Sequence, residues 1–549
     1  MTPASSRDGI RNPALWVLAV LIVAATVLQL HYRTHLDFMA DDWRFMFGRT
    51  GGGLSDYVNP YFEHCVVVLV GIYRLFFAVF GFGSAMPLHV LSTGIYMASV
   101  LALFIYLRNL VGDAASVIGC AVVLFLGAAF QDILWPFQMG YSIPIALGLA
   151  TLLLIKREDR RSDVAASALI TVAMFTTSMA IPFLVGAVIQ YLVLRRDPKR
   201  GLLLLLPPVL LYAAWWIGWG HTADSHIYLT SVLHTPEYVV NSFQYSVGVL
   251  TGTFRIEGTA GTVLRSLLGV LLIAICAIHI RRRRSVPPAL LVGLGVAITF
   301  WVFSGVGQIP DWGGREFNTP RYQYPNAIFL MMILAGAFQG VRPDRKVLAG
   351  IWVVAAITIV VNLGALSDGY QRMKTISDYQ HSGFTAVEIA GANVSPDFEF
   401  AQDPYGFYTT KASDYFRATD RYGSIAWSPE ELAAAPDDAR QVVDITLVSA
   451  EPIAFEGASR PAGSDCRKIT ATPDGGGRGI DVPPGPFTVQ SDQKVTMTMG
   501  RFSDSLHLPY WPLPAGRIMA FDIPKDSSDV TWRIGAQGAG KVTICSSTP

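Results

Sequence analysis

Two adjacent carboxylates, Asp41 and Asp42, stand in the stretch His35-Leu36-Asp37-Phe38-Met39-Ala40-Asp41-Asp42-Trp43-Arg44, a few residues beyond the first long apolar run. A carboxyl group partly desolvated there is held at a raised pKa, which suits a general base that takes a proton from a hydroxyl. Neighbouring residues share no face of a helix or strand, so the two acids must do different jobs. A solvated acid pair or a helix cap is the plainer alternative. Glu63 and His64 follow, just ahead of a second apolar run. A later segment, Gly313-Gly314-Arg315-Glu316-Phe317-Asn318-Thr319-Pro320-Arg321-Tyr322-Gln323-Tyr324-Pro325, sets two arginines against the start of another. A guanidinium fork matches phosphate geometry, and anchoring of Arg321 in an aromatic belt with Tyr322 and Tyr324 is the competing use. A third patch, residues 131–141, mixes aromatic and amide groups as sugar-binding surfaces do, with Trp135 and Gln138 as possible contacts. Taken alone, a rigid belt loop is the plainer reading of that patch.

The elements that must position these groups are apolar. Of 549 residues, 52% are hydrophobic and 15% charged, against roughly 25% charged in an ordinary globular chain. A spanning helix needs about 20 mostly apolar residues. Eleven candidate runs fall near 14–31, 88–107, 114–130, 142–155, 164–179, 181–194, 201–219, 263–280, 287–304, 325–341 and 347–365, the continuous stretch 164–194 turning back near Thr176-Thr177-Ser178. The first run has no small-residue cleavage site and reads as a retained signal anchor.

The run at 65–80 contains Arg74 and ends in Gly81-Phe82-Gly83, so it is expected to lie along the membrane surface as an amphipathic helix. With Arg7 and Arg11 inside, the clusters Lys156/Arg157/Arg160/Arg161, Arg195/Arg196/Lys199/Arg200, Arg281–Arg284 and Arg342/Arg345/Lys346 also fall inside, together with Arg108. That arrangement gives 18 basic residues inside and 8 outside in the bundle, as the positive-inside rule expects. It sends 32–87, 131–141, 220–262, 305–324 and the tail outward.

Net charge is +1, but it divides unevenly. Up to residue 365 there are 26 Lys+Arg against 18 Asp+Glu, and beyond it 16 against 23. The expected architecture is therefore a polytopic α-helical membrane bundle over 1–365 with the catalytic outward loop at 32–87, a mixed helical neck over 366–439, and an extracytoplasmic β-sandwich-like domain over 440–549. Alternating runs such as 442–448, 494–499 and 530–534 supply the strands. Cys466 and Cys545 lie in the outward tail, where an oxidising compartment permits a disulfide without requiring one. The five cysteines show no metal-binding spacing, Gly475-Gly476-Gly477 lacks the context of a phosphate-binding loop, and no basic face suits nucleic acid.

An N-terminal span, an outward segment opening with Asp41-Asp42, a surface helix ending in Phe80-Gly81-Phe82-Gly83, a span beginning near His89, and a late outward Pro320-Arg321-Tyr322 with Pro325 together resemble the GT-C superfamily. These are polytopic glycosyltransferases that take sugars from polyprenyl-phosphate carriers. The resemblance covers about residues 10–365, through order and topology. It implies Asp41 as base or acceptor-binding carboxylate with Asp42 in support, Arg321 at the carrier phosphate beside Tyr322, and Arg315 as a second cation. Glu63, His64, Trp135 and Gln138 stay as possible substrate contacts on the residues alone. The first loop has no Asp-x-Asp and the tail no Trp-Trp-Asp, which favours transfer of a single sugar over a metal-dependent oligosaccharide transfer.

The expected activity is thus transfer of one sugar, with inversion, from a polyprenyl-phosphate donor to a hydroxyl on an envelope glycan, lipid or protein. It would take place at the outer face of a bacterial-type cytoplasmic membrane, with no cofactor and no metal. The alternative is a transporter, flippase or polymerase of lipid-linked glycans. A transport path calls for ionisable residues inside the spans, and these are sparse.

Overall fold

The computed structural model describes residues 13–49, 53–157, 159–191, 197–223, 227–308, 315–401, 409–451, 453–473, 479–506 and 508–546. Arg7, Arg11, Arg195, Arg196, Gly313, Gly314 and Gly475–Gly477 lie outside them. The chain forms two compact units, one of residues 1–38, 49–76 and 85–373, the other of 39–48, 77–84 and 374–549. The break thus falls between Met373 and Lys374, and the helix carrying Asp41 and Asp42 is grouped with the tail.

The helices are α1 Pro13–Arg33, α2 Asp41–Phe47, α3 Leu54–Val58, α4 Val67–Phe80, α5 Met86–Val111, α6 Asp113–Leu124, α7 Phe130–Leu134, α8 Met139–Ile155, α9 Arg160–Met174, α10 Ile181–Val188, α11 Pro198–Gly218, α12 Leu229–Thr251, α13 Gly258–Arg283, α14 Pro288–Val306, α15 Pro320–Ala337 and α16 Arg345–Ala390. All eleven apolar runs are helical. Among the described residues, however, seven helices are long and apolar enough to cross a membrane, or eight if the bent pair Asp113–Leu124 and Gly127–Leu134 counts as one. The shortfall has physical causes. The α9 helix has only 15 residues, and the apolar helix at Ser178–Tyr191 is also short. In α15 the sequence mixes Tyr, Gln and Asn into the run, and every residue from Tyr322 to Met332 is buried, so this helix is bundle interior. At 14 residues α4 is too short to span.

Helix ends sort into two groups. At one end Arg108 pairs with Asp113 at 2.9 Å, Lys156 lies 5.1 Å over the Tyr106 ring, Arg200 meets Asp163, Arg283 donates to the Gln339 carbonyl, and Arg342 donates to Leu110 O at 3.2 Å. At the other end Val68 N–H donates to Phe175 O at 3.0 Å, and Trp215 Nε1 donates to Val58 O at 2.7 Å. Helix α12 sits in the segment 220–262 that had been expected to be an outward loop. It begins near Gln308, which accepts from Ser231 at 2.6 Å, and leads into α13 at the same end. It packs against α13, α14 and α15.

The second unit holds the rest of α16, the strand pair β1 Glu399–Ala401 and β2 Thr409–Lys411, and helices α17 Ala412–Tyr422, α18 Pro429–Ala434 and α19 Asp437–Ala450. Residues 442–448, expected as a strand, belong to α19. Along α19 the buried positions Ala439, Val443, Leu447 and Ala450 recur at helical spacing, and the strand-like alternation comes from polar Asp444 and Thr446 standing between apolar residues; Asp444 is itself buried. Its carboxylate accepts from the backbone N–H groups of Arg501, Phe502 and Ser503 at 2.9–3.0 Å.

Strands β3 Ala454–Ala458, β4 Asp465–Thr470, β5 Ile480–Val482, β6 Gly485–Ser491, β7 Val495–Gly500, β8 Leu508–Leu513, β9 Ile518–Ile523, β10 Trp532–Gln537 and β11 Lys541–Ser546 follow. They form two antiparallel sheets, ordered β5-β10-β7-β8 and β3-β9-β6-β11-β4. Phe487, Val489, Met497, Met499, Phe521, Trp532, Ile534 and Val542 are the buried side of the alternation. The whole is a membrane helical bundle with a β-rich C-terminal domain.

Cys466 and Cys545 face each other in the β4–β11 register and are joined by a disulfide that closes 79 residues. On chain-entropy grounds a loop of that length is worth about 4 kcal/mol. Cys466→Ser is therefore expected to lower the unfolding temperature of the tail transition, and reductant is expected to lower the parent to the same value. Both are readable by calorimetry of the detergent-solubilised chain.

Glu451 is 4% exposed beside Asp526. Burial, reinforced by the Asp526 carboxylate and opposed by Arg501, pushes its carboxyl up from 4.5 to about 8. The folded state then holds a proton that the unfolded chain releases, so stability falls as pH rises through that window and levels off above it. Glu451→Gln is expected to abolish that slope and to exceed the parent in stability at pH 9, by unfolding followed at pH 5, 7 and 9.

Candidate active site

The turn at 61–64 is closed by reciprocal backbone bonds between Tyr61 and His64, each 3.0 Å, with Phe62 at φ 48°. A non-glycine residue held there is strained, and the strain serves to aim its neighbours. Glu63 points to Arg315, whose two terminal nitrogens donate to the two carboxylate oxygens at 3.1 and 3.2 Å. Arg315 also donates to Gly307 O at 3.0 Å and lies 5.5 Å over the Phe62 ring. A fork engaged on both tines is a strut, so the second cation expected at a phosphate is tied to the acid expected at a substrate.

His64 Nδ1 is hydrogen-bonded to Ser178 Oγ, in the hairpin turn after α9. Burial pushes the imidazole down to about 4. Glu63 opposes that shift, and Arg315 and Arg321 push the same way as burial. His64 is thus neutral at ordinary pH and can accept at one ring nitrogen while donating at the other.

Arg321 is the second residue of α15, with Pro320 at N1 and no side-chain cap from Thr319. Its guanidinium lies 5.5 Å from the Tyr322 ring centroid. Its charge reaches His64, Asp132, Tyr141 and Tyr238. The open first turn of an 18-residue helix adds partial positive charge beside a guanidinium, which together favour an anion. Tyr322 is buried between Phe300 at 6.0 Å and Tyr141 at 6.5 Å. In the patch at 131–141, Trp135 and Phe137 rings lie 5.6 Å apart, and Phe137 meets Tyr61 at 5.8 Å. Gln138 is 2% exposed, and its Oε1 accepts no hydrogen bond within the protein.

The structure therefore brings Glu63, His64, Trp135, Gln138, Arg315, Arg321 and Tyr322 into the same end of the first unit. Ser178, Tyr238 and Asp132 join them. Ser178 hides in a two-hydroxyl turn between apolar helices, and Tyr238 in a helix whose polar residues disguised it as a loop. Asp132 lies within the patch at 131–141, where an acid among aromatic and apolar neighbours is itself a signal.

Asp41 and Asp42 belong to the second unit. They form the first turn of α2, preceded by Ala40 at φ 45°. Asp42 is fully buried, and its carboxylate accepts from Met39 N–H at 2.9 Å, so it closes the turn that starts the helix. Asp41 is 6% exposed. Trp43 anchors α2 by donating to Gln380 Oε1 at 3.1 Å and by packing on Phe384 at 4.7 Å. Among the described residues no group of three or more His, Cys, Asp or Glu is arranged to hold a metal ion.

No protein-family model and no curated protein matches the chain. Among solved structures it is similar to ArnT from Cupriavidus metallidurans bound to undecaprenyl phosphate, at 13% identity and a TM-score of 0.43 over 73% of this chain and 84% of that one. It is also similar to the arabinofuranosyltransferase AftD from Mycobacteria, at 13% identity and a TM-score of 0.39. That match covers 93% of this chain but only 40% of the other.

The Glu63–Arg315 pair is testable by a double-mutant cycle. Glu63→Ala and Arg315→Ala are each expected to destabilise the chain, and their summed effects are expected to exceed that of the double variant by a coupling of about 1–3 kcal/mol in unfolding free energy. Additive effects would remove the strut.

Proposed function

We propose that the chain is a membrane glycosyltransferase that moves a single sugar from a polyprenyl-phosphate carrier to an acceptor hydroxyl. The observation that carries this reading is Arg321. It is a guanidinium on the open first turn of a buried helix, at the end of the bundle away from the basic clusters. A lipid carrier keeps its polyprenyl tail in the bilayer, so its phosphate sits at the membrane face, and a cation with helix-terminal N–H groups at that depth is what an anion there requires. The positive-inside arrangement of basic residues supports taking that face as the outer one, with the N-terminus cytoplasmic and the tail extracytoplasmic. The acceptor is then a glycan, lipid or protein of the cell envelope.

In the reaction, the acceptor oxygen attacks the anomeric carbon, the bond from that carbon to the phosphate oxygen breaks, and the bonding pair leaves with the polyprenyl phosphate. Asp41 takes the hydroxyl proton, and Asp42 holds the turn that carries it. Arg321 offsets the charge that builds on the leaving phosphate. One base and direct displacement invert the sugar carbon. No nucleotide and no cofactor takes part.

Sugar release from polyprenyl-phosphate donors, followed by mass spectrometry of lipid extracts, tests the reading. Asp41→Asn is expected to slow transfer by about 10²–10⁴-fold and Arg321→Ala by about 10²–10³-fold. Full activity in both variants would sink the assignment.

A further inference from the structure

Asp132 is 3% exposed, and neither of its carboxylate oxygens accepts a hydrogen bond from another residue. It lies in α7, on the far side of the 45° bend that separates α6 from the rest of its pair. Its position is set by neighbours on both sides. Arg33, fully buried at the end of α1, donates from Nε to Ile133 O at 2.7 Å and from Nη1 to His89 O at 2.8 Å. Arg321 lies within electrostatic reach of the carboxylate from α15.

The orphan is not isolated. Within residues 131–138, Gln131 Oε1 and Gln138 Oε1 are also buried without a partner. All of these orphan atoms in the segment are acceptors. A buried acceptor left unmet costs about 1–3 kcal/mol, more when charged. A row of them in one bend is therefore held for donors that come from outside the chain. Sugar hydroxyls are such donors, and a phosphate on the same ligand would meet Arg321, whose charge reaches Asp132.

We infer that Asp132, with Gln138, forms the subsite that grips the sugar hydroxyls of a glycosyl phosphate whose phosphate is held at Arg321. This rests on the function proposed above. The acceptors are buried from water, and Tyr141 lies within electrostatic reach of Asp132. Asp132 accepts from hydroxyls and takes no part in bond breaking.

The test measures binding of the purified chain to undecaprenyl phosphate and to undecaprenyl phosphate carrying a pentose or a hexose. Asp132→Asn is expected to weaken binding of the glycosylated carrier by about 10–100-fold and to leave the bare carrier unchanged, while unfolding at no lower temperature than the parent. Arg321→Ala is expected to weaken both carriers alike. Equal weakening of both carriers by Asp132→Asn, no weakening of either, or a lowered unfolding temperature would overturn the subsite and leave the functional reading intact. A parent chain that binds neither form of carrier would overturn the functional reading and the subsite with it.

Discussion

Everything in the first unit is arranged around the close approach of α14 and α15. A Cβ on Gly336 would meet the Leu290 backbone nitrogen at 2.6 Å, and one on Gly293 would meet the backbone of Met332 and Ile333 at 3.0 Å. Lipid offers helices no hydrophobic drive to associate, so backbones that touch through small residues supply dispersion contact instead. The outcome is a helix buried on every side, and a helix in that position must satisfy its own polar groups. Gln323 donates to Thr319 O at 2.9 Å, Asn326 accepts from Trp301 at 2.8 Å, and Tyr324 bonds Ser99. What is left over is the first turn, and there the chain places Arg321.

A second constraint is the break between α6 and α7. Backbone groups freed by a break inside a membrane bundle must be paired again. Here α16 does it. A Cβ on Gly127 would lie 1.8 Å from Asn362 O, so only glycine lets the two backbones meet, and the Asn362 side chain accepts from Ala128 N–H at 2.9 Å. Gly369 admits the Phe130 ring in the same way, one helical stretch further on. The break is thereby stabilised without using the polar atoms of residues 131–138, which keeps those atoms available for other partners.

Much of this was legible in the residues. Apolar length located the long apolar helices of the bundle but not α12, and alternation with glycine and proline punctuation located β7 and β10, because both signals are local. Four segments of the bundle, 32–87, 131–141, 220–262 and 305–324, read as facing one side, and Arg321 lies within electrostatic reach of His64, Asp132 and Tyr238 from the other three. What was not legible depended on partners distant in sequence. Residues 442–448 read as a strand because nothing local says that Asp444 will be buried by three backbone donors from 501–503. The segment holding α12 read as a loop because its serines and threonines return their hydroxyls to the helix backbone, as Thr235 does to Ser231 O at 2.8 Å. Arg315 read as a free phosphate ligand because its partner, Glu63, lies some 250 residues away.

The charges at this end of the bundle show how the site keeps its polarity. Asp56 is matched by Arg74 at 2.6 Å, and Glu63 by Arg315. His64 is kept neutral by burial, so it adds no charge of its own. Pairing and neutralisation remove most of the net field, since an exposed cluster of like charges in a poorly solvated pocket would be costly. Arg321 and Asp132 stand on different helices, within electrostatic reach of each other. A ligand with an anion at one end and hydroxyls at the other matches that pair in hydrogen-bonding sense, which a uniform basic patch would not.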